Sequence, residues 1–447
     1  MKSGERSSID ASRWPRVART PDGFMLDNRS KWAADAFAAT CARAGIARET
    51  SREGTDELRI EVRDEMLFDR IAEADWLGLG ESYLAGEWDC ERLPEALSKL
   101  LDEGLDGGPK GSMLRSMRTL ARSRPQPEAI SGGAELPTTL LGLIAGPNLA
   151  TGSALFASGV RTTVQEMKTN HAPGAGRSGF PSKWPVHVTY IDPPKHVARV
   201  DFATAQLRRI DAMLDAGRVR AGDHVLVWPS TGGEVALRAA DRGAGVDVLA
   251  VREDHAETIL DRAEEAGLGG VVQVLRADNE VPSPREFDSD YEAIINVERL
   301  ETFGKERLRS WLRNAERILT PEGTIVVQMA VATDTFDEAA DSATDIVRSY
   351  IWPNLYYPTM ENLRRIVDRD TGMRIAAETH YPGHYSETLK LNRDFFAACS
   401  RKAAGLGYDR VYRRLWDYHL ALQQALVDTG RLNMVQLEIV KVSKRRR

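Results

Sequence analysis

The chain has 447 residues, 42% of them hydrophobic and 28% charged, with a formal net charge of −6. This is the profile of a globular chain rather than a disordered or membrane-embedded one, and no stretch reaches the ~18–20 apolar residues that span a bilayer. The acidic balance argues against a dedicated nucleic-acid binder, which needs a positive footprint.

In chain order, the N-terminus MKSGERSSID has no apolar core behind its charges, so no signal peptide is expected. A small α/β domain is predicted over residues 1–108. It combines a strand-like ELRIEVRD (57–64), a helical stretch over 65–89 and an amphipathic helix over 93–105. Residues 109–200 are read as a loop-rich linker, because Gly and Pro interrupt it too often for long helices. Within it, Lys110, Arg115, Arg118 and Arg122 alternate with Met113, Leu114, Met117 and Leu120. That pattern suits a basic amphipathic helix on an anionic membrane surface, and equally a solvated helix. From residue 201 helices and strands alternate, which predicts an α/β fold with a doubly wound, mostly parallel sheet. RLNMVQLEIVKV (431–442) reads as a final edge strand. The three cysteines, Cys41, Cys90 and Cys399, form no CxxC pair, so neither a metal centre nor a disulfide framework is expected, and a reducing cytosol is the simple reading.

VLVWPSTGGE (225–234) is where such a fold places its first cofactor loop: a buried strand, a turn with Gly232 and Gly233, then a helix. Glycines let backbone N–H groups approach a nucleoside ligand, and an acid after the second strand accepts ribose hydroxyls. Glu253 holds that acidic position, and Asp278, after the third strand, could accept from an adenine amine. Polar strand ends that cap helices account for both acids equally well.

Several stretches resemble the cyclopropane-fatty-acyl-phospholipid synthase family. They are GLGESYLAGEWDCERLPEALSKLL (78–101), RNAERILTPEGTIVVQ, SYIWPNLYYPTMENLRRIV (349–367) and HYPGHYSETLKLNRDFFAA (380–398). The resemblance implies a class I methyltransferase-like Rossmann fold, S-adenosylmethionine as methyl donor, a bicarbonate ion as proton acceptor and an apolar acyl-chain pocket. It also implies an N-terminal domain used for dimerisation and membrane contact. Glu301, in ETFG, falls on the family's bicarbonate-binding Glu, and Tyr385 falls on its Tyr. Gln328 stands at the family's His, and no cysteine stands near Thr189 or Tyr190, where the family has one. The segment around His171 is the nearest match to the family's HYDxGN. In the first loop Val227, Pro229 and Thr231 replace an Asp and two Gly. Proline removes a backbone donor there. These departures lead to the expectation of a catalytically degenerate relative. It would bind acyl lipids or act as a partner subunit, in a homo- or hetero-oligomer with a related methyltransferase, at the inner face of the membrane. The alternative is an active S-adenosylmethionine-dependent enzyme on unsaturated phospholipid acyl chains.

Overall fold

A computed structural model describes residues 9–22, 26–48, 57–105, 135–146, 149–157, 162–169 and 184–442. Lys110, Arg115, Arg118, Arg122 and the segment around His171 lie outside the described residues. The chain forms two compact units that do not follow the expected boundaries at 108 and 200. Residues 335–353 and 396–431 join residues 1–130 in the first unit, and the second comprises 131–334, 354–395 and 432–447. Contacts distant in sequence decide such membership, so a linear reading of composition misses it.

Among the described residues the first unit is mainly helical, with one short antiparallel pair of strands, β1 (Glu61–Val62) and β2 (Trp88–Asp89). Its helix Leu93–Glu103 buries Leu93, Ala96, Leu97, Leu100 and Leu101, the spacing of one apolar helical face. The helix Met66–Ala85 carries Arg70, which is buried against an equally buried Glu87. Arg70 Nε lies 3.0 Å from both carboxylate oxygens, and its terminal nitrogens donate to the carbonyls of Arg16, Val17 and Arg19. One guanidinium thereby satisfies a buried charge and the end of the helical turn Pro15–Ala18. Among the described residues no helix is long and apolar enough to cross a membrane.

The second unit is built on a nine-stranded sheet. Its strands are β3 (Thr162–Thr169), β4 (Trp184–Ile191), β5 (His224–Val227), β6 (Gly245–Ala250), β7 (Val272–Arg276), β8 (Tyr291–Val297), β9 (Leu319–Ala332), β10 (Met373–His380) and β11 (Leu432–Lys441). The order is β3-β4-β10-β11-β9-β8-β5-β6-β7. β7, β6, β5, β8 and β9 run parallel, as do β4 and β10. Two findings revise the reading from sequence. The hairpin β3–β4 belongs to this sheet and not to a linker. The final strand β11 is interior, antiparallel to both β9 and β10. Its apolar run shows that it is buried, but only the pairing shows where.

Alternate residues of the short strand β5 feed opposite faces, as strand geometry requires. Leu226 joins a core with Trp228, Phe287, Tyr291, Ile294 and Trp311. Val225 and Val227 join a second core with Ile210, Met213, Ala236 and Ile259. β5 pairs with β6 on one side and β8 on the other, so the chain order reverses beside it. That makes the loop after β5 the place where sheets of this kind bind ligands.

Candidate functional site

The loop begins at Trp228, whose indole packs on Phe287 and Trp311 at centroid distances of 5.0 and 5.2 Å. Its Nε1 donates to the Glu280 carbonyl at 2.7 Å, and Asn296 Nδ2 donates to the Trp228 carbonyl at 2.8 Å. After the cis Trp228–Pro229 bond, Ser230 N donates to Leu249 O at 2.7 Å, which ties the turn to β6. Gly232 (φ +85°) and Gly233 (φ +94°) then lead into the helix Glu234–Asp241.

Residues of the preceding segment pack against this loop. Glu135 is fully buried. Its Oε1 accepts from Ser230 Oγ at 2.7 Å, and its Oε2 accepts the amides of Val251 and Arg252 at 3.2 and 3.0 Å, just past the end of β6. Leu149 covers Gly232 so closely that a Cβ there would stand 2.3 Å from the Leu149 carbonyl oxygen. Gly152 is pressed as tightly onto the ends of β8 and β9, where a Cβ would meet Val297 Cγ1 at 2.6 Å.

A buried segment without regular structure must have its backbone groups satisfied from outside. Here the helix Phe202–Ala216 supplies donors to its carbonyls. Gln206 reaches Gly152 O at 2.7 Å, Arg209 reaches Thr151 O at 2.6 Å and Arg208 reaches Leu155 O at 2.7 Å. The amides of Ser153, Ala154, Leu155 and Phe156 donate to Glu298 Oε1, Thr388 Oγ1, Ala205 O and His384 Nδ1. Burial lowers the His384 imidazole to about 4, which leaves its Nδ1 free to accept.

Beyond Gly152 the structure gathers Glu298, Glu301, Gln328, Tyr381 and Tyr385. Gln328 is fully buried in β9, in register with Val297, and its Nε2 donates to Glu298 Oε1 at 2.5 Å and to Ser153 O at 3.4 Å. Glu301 accepts the Ala330 amide at 3.3 Å. Burial, with the charge of Glu298 second, pushes its carboxyl up to about 8. Burial first, then Glu298, Tyr357 and Glu301, raise the Tyr385 hydroxyl well above its ordinary value. Among the described residues, Glu301 Oε2, Gln328 Oε1 and the Tyr381 hydroxyl have no hydrogen-bond partner.

The structure thus brings Glu301, Gln328 and Tyr385 together and places Glu253 and Asp278 just past the ends of β6 and β7. Glu253 is exposed and paired with Arg276 at 2.8 Å. Asp278 is exposed as well. Thr189 and Tyr190 lie in β4, separated from β5 by β10, β11, β9 and β8. All three cysteines belong to the first unit. Glu135, Leu149 and Gly152 are site residues that sequence reasoning missed.

Some groups of the loop that could approach S-adenosylmethionine are taken up by the chain's own residues. Leu149 takes the close approach that Gly232 would offer, and Glu135 takes the amides of Val251 and Arg252. The Gln328 amide nitrogen is committed to Glu298 and its oxygen has no partner, while the Tyr381 hydroxyl is a donor without a partner in the same cluster.

The comparisons extend what the fold shows. The family model for mycolic acid cyclopropane synthetase matches residues 195–437. A tuberculostearic acid methyltransferase of Mycobacterium tuberculosis (strain ATCC 25618 / H37Rv) is 26% identical over 97% of this chain and 97% of its own. A cyclopropane-fatty-acyl-phospholipid synthase of Escherichia coli (strain K12) is 21% identical over 85% of this chain and 86% of its own. Among solved structures, coclaurine N-methyltransferase bound to N-methylheliamine and S-adenosylhomocysteine superposes with a TM-score of 0.55. It shares 13% identity and covers 81% of this chain and 97% of that one, a likeness of fold alone. The parallel sheet, the loop at its switch point and the matched span, which covers more than half the sequence, lead to one assignment: this chain belongs to the mycolic acid cyclopropane synthetase family.

Proposed function

We propose that this chain is a non-catalytic member of its family, a partner subunit that associates with a methyl-transferring relative acting on lipid acyl chains. The observation that supports the reading is the packing of Glu135 and Leu149 against the turns after β6 and β5, beside the switch point where sheets of this kind bind ligands. The similarity to the tuberculostearic acid methyltransferase runs through the first unit as well as the second, which supports retention of whatever assembly that unit serves. Contact with acyl lipids or an anionic membrane through Lys110, Arg115, Arg118 and Arg122 belongs to the same proposal.

A second reading, an active S-adenosylmethionine-dependent methyltransferase on unsaturated phospholipid acyl chains, is favoured by one observation. Glu301, Gln328 and Tyr385 share one buried cluster. In that case Gly232, Gly233, Glu253 and Asp278 would frame the donor after the segment at 135–153 had moved.

Affinity purification of the tagged chain from its native host, with mass spectrometry of what it retains, separates the two. The proposal expects a second protein of the same family in near-stoichiometric amount. Recovery of the chain without any such relative would remove the partner reading.

A further inference from the structure

Three buried side chains meet where residues 135–136 pack against the turn after β5. Ser230 Oγ lies 2.7 Å from Glu135 Oε1 and 2.9 Å from His255 Nδ1, and His255 Nε2 lies 2.7 Å from the Leu136 carbonyl oxygen. Ser230, Glu135 and His255 are at most 2% exposed. The protons can be counted. A carbonyl oxygen only accepts, so Nε2 carries a hydrogen. Ser230 has a single proton, and it faces two groups that both accept if Glu135 is a carboxylate and His255 is neutral. Both short contacts can be hydrogen bonds only if the trio holds one more proton, on His255 Nδ1 or on Glu135 Oε1. Glu135 Oε2 already accepts two backbone amides, so it is not the carrier.

We propose that this extra proton is a latch that holds residues 135–136 against that turn, so that the segment is seated when the trio is protonated and loosened when the proton leaves. The inference rests on the seating of that segment, on which the functional reading also depends. Charged groups of both signs face the trio. Asp254 faces His255 and accepts the Thr138 amide at 2.9 Å as well as Arg252 Nε at 2.8 Å. Arg299, from the turn after β8, faces Glu135, Glu280 and Glu301. The sign follows from linkage. The seated state binds one proton more than the released state, so rising pH favours release.

The test is hydrogen exchange of the full chain, read by mass spectrometry in the peptides that contain Val251 and Arg252 and corrected for intrinsic exchange rates. Protection in the wild type is expected to fall about tenfold per pH unit once the proton begins to leave, the slope of a single linked proton. In Glu135→Gln the amide donates to Ser230, its oxygen still accepts the two backbone amides, and Ser230 can donate to a neutral His255. Protection there should be high and independent of pH. Ser230→Ala should lower protection at every pH. Protection in the wild type that is high and independent of pH would overturn the latch while leaving the segment seated. Absence of protection at every pH would overturn the seating itself, and the functional reading with it.

Discussion

Gly232→Ala is expected to destabilise the protein by about 3 kcal/mol, read as a shift in the denaturant midpoint at unchanged slope. A left-handed backbone costs an L-residue roughly 1–2 kcal/mol, and forcing a methyl group into a packed site costs about 1–3 more. Both terms act here, because φ is +85° and the new Cβ would stand 2.3 Å from Leu149 O and 2.8 Å from Leu149 Cβ. Gly267→Ala is the control: its φ is +72°, and nothing lies within 4 Å of the added atom. That variant should lose only the backbone contribution, about 1 kcal/mol. If the two losses are equal, Leu149 does not rest on Gly232.

The second large effect is a gain. Glu301→Gln should change stability by at most about 1 kcal/mol in mild acid and raise it by about 4–5 kcal/mol in mild alkali, because an uncharged isostere escapes the penalty of ionising a buried carboxyl beside Glu298. The Glu301 carboxyl titrates at about 8 when folded, against an ordinary value of 4.5. Between these values the folded state holds more protons than the unfolded one, so wild-type stability falls as pH rises through that window and then levels off. The glutamine keeps an oxygen for the Ala330 amide, so no hydrogen bond need be lost. Urea unfolding of both proteins at about pH 5 and about pH 9 decides the point. A gap of the same size at both pH values would show that Glu301 ionises freely in the folded protein.

The architecture of the second unit was legible because its elements carry local signals. Short apolar runs in β5 and β8, helical spacing in the intervening segments and the glycine pair at 232–233 each specify structure over a few residues. The Glu301, Gln328 and Tyr385 grouping followed from resemblance and not from periodicity, since β8, β9 and the helix Pro382–Ala398 meet only in the folded chain. The packing of Glu135 and Leu149 against the turns after β6 and β5 was not legible. Glu135, Leu149 and Gly152 lie in a stretch whose glycines and prolines read as an exposed loop. What keeps this stretch buried is a set of donors on the helix Phe202–Ala216. Gln206 and Arg209 look like solvent-facing residues in ATAQLRRIDAMLDAG, yet they are 2% and 1% exposed because their polar ends serve the loop carbonyls. Periodicity classifies a residue by its own polarity and is blind to a buried partner supplied from far away in sequence. The interior position of β11 was hidden for the same reason.

The claim that most of this rests on is that the chain's own residues take up the loop groups that a methyl donor would approach, and calorimetric titration with S-adenosylhomocysteine tests it most directly. With wild-type protein shown to be folded by a cooperative unfolding transition, the account predicts no detectable heat of binding. A saturable exotherm or endotherm at micromolar affinity, about −8 kcal/mol, would contradict it and turn attention to lipid methylation assays.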